Sequence, residues 1–495
     1  QARETAPHDH DRGVWQFIVG DLCFASHGSS VAGGTKIRIF AHLTLMYEQD
    51  TIAAISSPPG TGAIALLRLS GMKAYTIAER VAPTLPLEPL PRTAYYVPVI
   101  DMDGQVDEAV VTLFSGPNSY TGEDVVEVSI HGSTYIQQRL LQAMLDAGAR
   151  LALPGEFTQR AFLNKKLDLS QAEAVADLIA SQSAAQHKLA LHQLRGGFGQ
   201  RIEALRQQLI DFSALIELEL DFSEEDVQFA QRIELTALLD NLMDLCTELI
   251  DSFRYGNAIK QGIPVAILGA PNSGKSTLLN ALLQEDRAIV SEVPGTTRDT
   301  VEEMLSIEGV LFRIIDTAGL RKTTDIVEKL GIERSYKKAS ESAIVILLGD
   351  GSMVSEGALR TEATMLSERL NNAVEVVPMM SKSDINGTSM NNGTLSISAR
   401  TGEGLDQLKR VLLEHVRSML NGPGDVVVTN ARHVDALTKA RSAMEDAKVA
   451  IDNGLSGELL AIDLRRAQQQ LGEITGQITS DDLLGSIFGR FCIGK

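Results

Sequence analysis

The chain is short of cysteine, of long apolar runs and of positive charge, and each shortage closes a class of function. Cys23, Cys246 and Cys492 are its three cysteines in 495 residues. An odd number set so far apart argues against a disulfide framework or a zinc site and for a reducing cytosol. No stretch reaches the roughly 18 apolar residues that a membrane-spanning helix needs. Against 64 acids stand 45 Lys and Arg, a net charge of -19. Most of the surface therefore repels a phosphate backbone, and any nucleic-acid contact must be local. The stretch before Met46 has neither an apolar signal core nor an Arg-rich amphipathic pattern, so no targeting peptide fits and residues 1–46 are left unassigned. The ending "FCIGK" puts Cys492 where a prenylation signal would put its cysteine, but Gly494-Lys495 does not complete such a signal. A buried structural thiol stays open as the plain reading of Cys492.

What is present points to about three domains, given the length and a 44% hydrophobic content. From Thr51, "TIAAISSPPGTGAIALLRLSG" is a β-rich run broken by a Pro-Pro-Gly turn. "AVVTLF" and "DVVEVSIHG" follow, then the helical "YIQQRLLQAMLDAG", so residues 47–164 read as an α+β domain. Residues 165–258 have helical periodicity with few Gly or Pro inside it. The acidic Asp221, Glu224, Glu225 and Asp226 within this stretch lack the alternate-residue spacing of oxygen ligands and read as a solvated helix end. Over 259–422 short apolar strands ("PVAILG", "LFRIID", "AIVILL", "VEVVPMM", "LSIS") alternate with amphipathic helices, the pattern of a mostly parallel sheet. After the linker "NGPGD", residues 423–495 return to helix and are expected to complete the earlier helical domain, which makes the α/β module an insertion.

Gly269-Ala-Pro-Asn-Ser-Gly274-Lys275-Ser276 matches GxxxxGK(S/T) between an apolar strand and the helix-forming "TLLNALL". The glycines let successive N–H groups of Asn272, Ser273, Gly274, Lys275, Ser276 and Thr277 face phosphates at a helix N-terminus. Lys275 would neutralise β- and γ-phosphate charge, and the Ser276 hydroxyl would bind Mg²⁺. Asp316-Thr317-Ala318-Gly319 follows the strand "LFRIID", where an Asp can hold a metal-bound water and Gly319 can sense a γ-phosphate. Thr297 of "PGTTRD" offers Mg²⁺ a second hydroxyl. Ser381-Lys382-Ser383-Asp384 and Ser398-Ala399-Arg400 complete the set, with Asp384 accepting from the N–H donors that guanine has and adenine lacks. Together these pieces specify a GTPase that uses GTP and Mg²⁺. Two positions depart from a Ras-like pattern. Leu320 stands where a Gln would orient the attacking water, so another residue must place it. Ser381 stands where the guanine motif has Asn, and its shorter side chain is expected to weaken GTP affinity while leaving the preference for GTP.

From about Met46 to Lys495 the chain resembles the MnmE (TrmE) family of tRNA-modifying GTPases. The resemblance rests on "SSPPGTGAIALLRLSG", "GPNSYTGEDVVEVSIHG", "PGEFTQRAFLNKKLDLSQAEAVADLI", "GAPNSGKSTLLNALL", "VPGTTRDTVEE", "DTAGLRKTTDIVEKLGIERS" and "GEITGQITSDDLLGSIFGRFCIGK". It implies a multidomain α+β and α/β architecture: an N-terminal folate-binding and dimerising α+β domain, a discontinuous helical domain and an inserted Ras-like P-loop GTPase domain. It also marks Met46 as the expected natural start. In this family two G domains of a homodimer meet across K⁺, and a Glu after DTAG polarises the water; that position here is Glu328. The resemblance implies K⁺ ligands at Asn272, Ser291, Val293 and Thr296, within a nucleotide-contacting loop of Ser291, Glu292, Val293, Pro294, Gly295, Thr296 and Thr297. It further implies a 5-formyl- or 5,10-methylene-tetrahydrofolate held by Arg68, Glu127, Lys166 and Lys495, with Cys492 as a catalytic or supporting thiol. His131, beside Gly132, takes no assigned role. The implied function, in the cytoplasm and without a membrane, is joint action with the FAD-dependent MnmG (GidA) to attach an aminomethyl or carboxymethylaminomethyl group to C5 of the wobble uridine of tRNA. Two other readings are an Era-like ribosome-assembly GTPase switch, and a folate-dependent aminomethyl-transfer enzyme regulated by its G domain. The first expects a basic RNA-binding module with a GxxG loop, which residues 424–495 do not contain; the second expects turnover without a flavoprotein.

Overall fold

The computed structural model describes residues 50–221, 232–286, 303–315, 337, 339–371, 374–386, 394–420 and 427–495. Residues 1–46, Glu224, Glu225 and Asp226, Ser291 to Thr297, Asp316 to Leu320, and Glu328 lie outside the described residues.

Alternation builds the N-terminal sheet. Strands β1 (Ile52–Ile55), β2 (Ile64–Ser70), β3 (Ala94–Asp101), β4 (Gly104–Phe114), β5 (Val125–His131) and β6 (Arg150–Leu151) lie in the order β3-β4-β5-β2-β1-β6. Leu67, Leu69, Val111, Val126 and Val128 point to one face, where Ile77 of helix Ala74–Val81 and Leu140 and Met144 of helix Thr134–Asp146 cover them. The residues between them face the other way. β2 and β5 run antiparallel with Arg68 opposite Glu127 and Ile64 opposite His131, so all four share the face turned away from that core.

Helix follows, opened by a capping box. The Asp168 carboxylate accepts from the N–H of Gln171, and the Gln171 side chain accepts from the N–H of Asp168, which satisfies donors that a helix start leaves unpaired. Helices Gly197–Asp221, Arg232–Gln261, Ala431–Asp452 and Gly457–Thr475 share one apolar core that runs from Phe198, Leu209, Leu239 and Leu249 to Leu437, Met444, Leu464 and Ile474. Segments nearly two hundred residues apart in sequence thus bury each other's apolar stripes.

Between them sits a second six-stranded sheet, ordered β12-β11-β10-β7-β9-β8. Its strands are β7 (Ile263–Leu268), β8 (Glu303–Ile307), β9 (Val310–Ile314), β10 (Ile344–Asp350), β11 (Glu375–Ser381) and β12 (Leu395–Ser396). β8 pairs antiparallel with β9, and the other pairings are parallel. Every residue of β10 is buried, as expected for a strand covered on both faces. The chain is therefore a multidomain α+β and α/β protein.

Candidate functional site

The first site forms at the carboxyl ends of β7, β10 and β11, where ligands of open α/β sheets bind. After β7 the chain turns sharply: Gly269 has φ +146, and a Cβ there would lie 2.2 Å from the Leu348 carbonyl oxygen. Only glycine allows this approach. Asn272 (φ +63) and Gly274 (φ +94) are also left-handed, and helix Lys275–Asp286 begins immediately after them. The Lys275 ammonium donates to the carbonyls of Gly269 at 2.8 Å and Ala270 at 2.7 Å, and its partial burial lowers its pKa. A cation and a helix N-terminus thus converge on one loop, the arrangement that suits polyphosphate.

The second rim of this site lies beside it. Ser381 ends β11 where a Cβ added at Gly274 would lie 3.8 Å from its own Cβ, and its hydroxyl donates to the Gly349 carbonyl at 3.1 Å. Lys382 (φ +60) donates to Asp350 Oδ2 at 2.5 Å. That hydrogen bond is the main cause that brings the Asp350 carboxyl down to about 2. Ser383 N–H donates to the Ile397 carbonyl, which fixes the turn carrying Asp384 next to buried Ser398 and to Ala399 and Arg400. Asp350, which braces Lys382, did not emerge from the motifs; an acid at the end of an apolar central strand is the signal that marks it.

A second site is built from distant parts of the chain. Arg68 on β2 donates to Glu127 Oε1 on β5 through Nε at 2.9 Å and Nη2 at 2.6 Å. Its guanidinium lies 5.4 Å from the Tyr120 ring centre and 5.7 Å from that of Phe157, contacts that favour a cation over aromatic faces. The phenol of Tyr120 shares a 2.9 Å hydrogen bond with Thr158, and burial raises its pKa. On the helix that carries Phe157 and Thr158, Arg160 is 1% exposed and donates to Asp50 at 2.5 Å, Glu156 at 3.0 Å and Glu123 at 3.2 Å. So many buried charges are tolerable only when paired, and the pairing fixes helix Glu156–Leu163 against the strands.

The C-terminus closes this site. The Gly155 N–H donates to the Cys492 carbonyl at 3.3 Å, and Ser56 Oγ donates to the Gly494 carbonyl at 3.0 Å. Cys492 is exposed, so the buried-thiol reading does not hold. Lys495 is half-buried, and burial together with the nearby Arg68 charge lowers its pKa. Arg68, Glu127, Cys492 and Lys495 are therefore brought into one neighbourhood. Lys166 is exposed and turns its ammonium to the Pro117 carbonyl at 2.8 Å, on the turn leading to Tyr120. Tyr120, Phe157, Ser56 and Gly155 were not singled out from sequence, although all four lie in the quoted motifs.

With this geometry in place, comparison with known proteins is informative. The model of the GTP-binding protein TrmE N-terminus matches residues 51–166, and that of the MnmE helical domain matches residues 169–492. The tRNA modification GTPase MnmE of Flavobacterium johnsoniae is 47% identical over 468 residues, spanning 91% of this chain and 100% of its own. The chain belongs to the MnmE family. The MnmE of Cytophaga hutchinsonii is 48% identical over 456 residues, again over 91% of this chain and 99% of the relative. Among solved structures, the G domain of the T. maritima FeoB iron transporter is 25% identical with a TM-score of 0.23, over 31% of this chain and 98% of that one. Aquifex aeolicus Era is 24% identical with a TM-score of 0.24, over 37% and 66%. As a member of the MnmE family the protein is a GTPase, and the Era-like assembly switch is not favoured. No helix among the described residues is long and apolar enough to cross a membrane.

Proposed function

We propose that the chain is a potassium-activated GTPase that works in the cytoplasm with an FAD-dependent MnmG (GidA) partner on the wobble uridine of tRNA. The product is an aminomethyl or carboxymethylaminomethyl group at C5, its bridging carbon drawn from a tetrahydrofolate. The observation that carries this reading is the near-full-length similarity to relatives named tRNA modification GTPase. Domains of 47–164, 165–258 with 423–495, and 259–422 are part of the same proposal.

On the nucleotide side, the N–H groups of Asn272 to Thr277 and the Lys275 ammonium hold the phosphates, and Ser381 to Asp384 with Ser398 to Arg400 hold guanine. The left-handed loop ahead of helix Lys275–Asp286 supports this assignment, because it exposes consecutive donors to one point. Ser276 and Thr297 bind Mg²⁺; Asn272, Ser291, Val293 and Thr296 bind K⁺, which supplies positive charge at the transferring phosphate. Asp316 to Gly319 contact the γ-phosphate end, and Glu328 takes the water-positioning role that Leu320 cannot fill.

On the N-terminal side, Arg68, Glu127, Lys166 and Lys495 hold the folate, which supplies a one-carbon unit when bound. The residues present fit such a ligand: cations for carboxylates, an acid acceptor for a pterin's N–H groups, and the aromatic Tyr120 and Phe157 beside them. Cys492, exposed beside Gly155 and Lys495, serves this ligand as a catalytic or supporting thiol. A homodimer is favoured by the sheet face opposite the core, where Ile64 (68% exposed) and Tyr96 (73% exposed) are apolar and uncovered. GTP hydrolysis drives movement of G domains, coupled to the modification without taking part in its bond changes.

The reading is tested by GTP hydrolysis in KCl and NaCl at matched ionic strength, together with nucleoside digests of tRNA from a deletion strain. A steep rise in KCl and loss of the wobble modification are expected. Equal rates in the two salts remove the K⁺ mechanism, and unchanged wobble nucleosides remove the tRNA role.

A further inference from the structure

In a chain of net charge -19, one stretch of the helical domain carries no acid. Residues 178–202 contain His187, Lys188, His192, Arg195 and Arg201 and neither Asp nor Glu. Helix Ala184–Leu194 lies within this stretch, and its inner side is pinned. Gln193 donates to the Val427 carbonyl at 3.2 Å and to the Thr429 hydroxyl at 2.8 Å, and Gln186 donates to the Lys260 carbonyl at 2.9 Å. The bases are left on the outside. Lys188, His192 and Arg195 fall at i, i+4 and i+7 and so share one stripe, with Lys188 and Arg195 exposed and His192 half-buried. Arg201, also exposed, follows across the left-handed turn at Gly196 (φ +84).

These bases differ from others of the same domain. Arg232, Lys260, Arg432, Lys448 and Arg465 each hold an Asp or Glu oxygen at 2.8 Å or less. Among the described residues, Lys188, Arg195 and Arg201 have no carboxylate within ion-pair distance. The acids on the neighbouring elements are already engaged: Glu173 by Arg432, Asp177 by Lys260, Glu203 by Arg206, and Asp168 by the Gln171 N–H and the Ser170 hydroxyl. Positive potential is therefore left uncancelled on this face. The stripe also runs between the two sites. At one end the Ala185 N–H donates to the carbonyl of Gly309, on the turn between β8 and β9, at 3.0 Å. At the other, Gln171 Nε2 donates to the Leu194 carbonyl at 2.9 Å, and a Cβ added at Gly199 would lie 2.3 Å from Asp168 Oδ2. The corner between Arg195 and Arg201 thus packs against the helix start that follows the exposed Lys165 and Lys166.

Lys188 to Arg195 cover about 10 Å of helix axis at roughly 1.5 Å per residue, so the cations form a track instead of a point. A track of spaced, unpaired cations suits a chain of phosphodiesters better than a single small anion. We propose that Lys188, His192, Arg195 and Arg201 are the face on which the tRNA backbone lies, on the way from the G domain to the pocket of Arg68 and Lys495. Such contacts position an RNA without reading its bases, because the phosphate is the same at every nucleotide. The inference rests on the wobble-uridine reading above and supplies the local nucleic-acid contact that an acidic chain requires.

The experiment titrates the full chain into a labelled tRNA transcript with uridine at the wobble position, over about 50 to 200 mM KCl. The double variant Lys188→Ala, Arg195→Ala should bind about tenfold more weakly, and its slope of log affinity against log salt should be shallower by about 1 to 2, as loss of two phosphate contacts requires. Charge reversal, Lys188→Glu with Arg195→Glu, should weaken binding about 10²-fold. GTP hydrolysis in KCl and folate affinity should be unchanged in both, which shows that the variants are folded. Lys439→Ala removes an exposed lysine already paired with Asp435 at 2.6 Å and should alter neither affinity nor slope. Wild-type affinity and slope in both double variants overturn the proposal, as does a loss of flavoprotein binding with RNA affinity intact, or a wild-type chain that binds no transcript. Wobble nucleosides from a deletion strain carrying each variant separate this surface from the reading beneath it. Full modification and full RNA affinity in the variants remove the surface and leave the wobble reading; RNA affinity that depends on the stripe, with wobble nucleosides the same whether or not the gene is present, removes the wobble reading and leaves the surface.

Discussion

The two sites are assembled by opposite routes. The proposed nucleotide site takes Asn272 to Thr277 from consecutive positions, and its bends at Gly269, Asn272 and Gly274 are written into the same short stretch. The N-terminal pocket joins Arg68 to Glu127 across 59 residues and is closed by a Ser56–Gly494 bond that spans 438. A local loop at a helix N-terminus brings its own geometry, needing little from the rest of the fold. A pocket closed by the chain's far end depends on the helical domain being assembled, because that domain delivers the tail. Damage to the first site should stay local, while damage far from the second should reach it.

The largest expected effects test that independence. Cys492→Ser should abolish tRNA modification and leave GTP hydrolysis intact, since the exposed thiol stands beside Gly155 and Lys495 and far in sequence from the P-loop. Conversely, Lys275→Ala should lower GTP hydrolysis about 10²–10³-fold, as loss of one charge-stabilising donor does, with folate affinity unchanged by equilibrium dialysis. Folate affinity that fell in step with hydrolysis would break the comparison.

A smaller effect concerns the seam that carries the tail. Glu173 on helix Leu169–Ala180 accepts from Arg432 at 2.8 Å and pairs with buried His433 at 2.8 Å. Burial raises the Glu173 pKa, but the His433 and Arg432 bonds outweigh it and bring it from 4.5 to about 2. A depressed carboxyl stabilises the fold above its unfolded pKa, and that stability is lost as pH falls from about 4.5 toward 2. The His433 pKa is lowered mainly by burial, so its contribution also falls as pH drops below about 6.5. Glu173→Gln should cost on the order of 3 kcal/mol at pH 7 and flatten the acid slope of the urea midpoint between pH 5 and 3. A slope equal to wild type would show that the seam is held by its apolar contacts alone.

The same contrast explains what the sequence disclosed. The P-loop was legible because its chemistry and its backbone bends share one run, and the strands of the inserted module announce themselves as short apolar segments bounded by turns. β3 escaped because "YYVPVI" carries Pro98 inside it, although a proline is tolerated on an edge strand, and β3 is one. β8 escaped because only its first residue, Glu303, falls in a quoted motif, and nothing in the short run after it marks the hairpin partner of β9. In the N-terminal pocket, Arg68 and Lys495 are bland residues on a strand and at a terminus. No spacing rule joins positions so far apart; resemblance to the family implies the grouping, and the fold makes the contacts.

The smallest effect sharpens the comparison most, because it alters the tail without touching any proposed ligand group. Gly494 has φ +94, and a Cβ there would lie 2.4 Å from the Ile55 carbonyl oxygen and 3.0 Å from Ser56 Cα. Both obstacles are backbone, so an alanine cannot be accommodated by a side-chain shift and the tail itself must move. Moving it loosens the Ser56–Gly494 bond and carries Lys495 away from Arg68. Gly494→Ala should therefore weaken folate binding about tenfold, equivalent to about 1.4 kcal/mol, with GTP hydrolysis in KCl unchanged. Ser56→Ala, which removes only the hydrogen bond, should cost about 1 kcal/mol or less. Folate affinity unmoved by Gly494→Ala would mean that the tail is a bystander, and the second pocket would then be as local in its workings as the first.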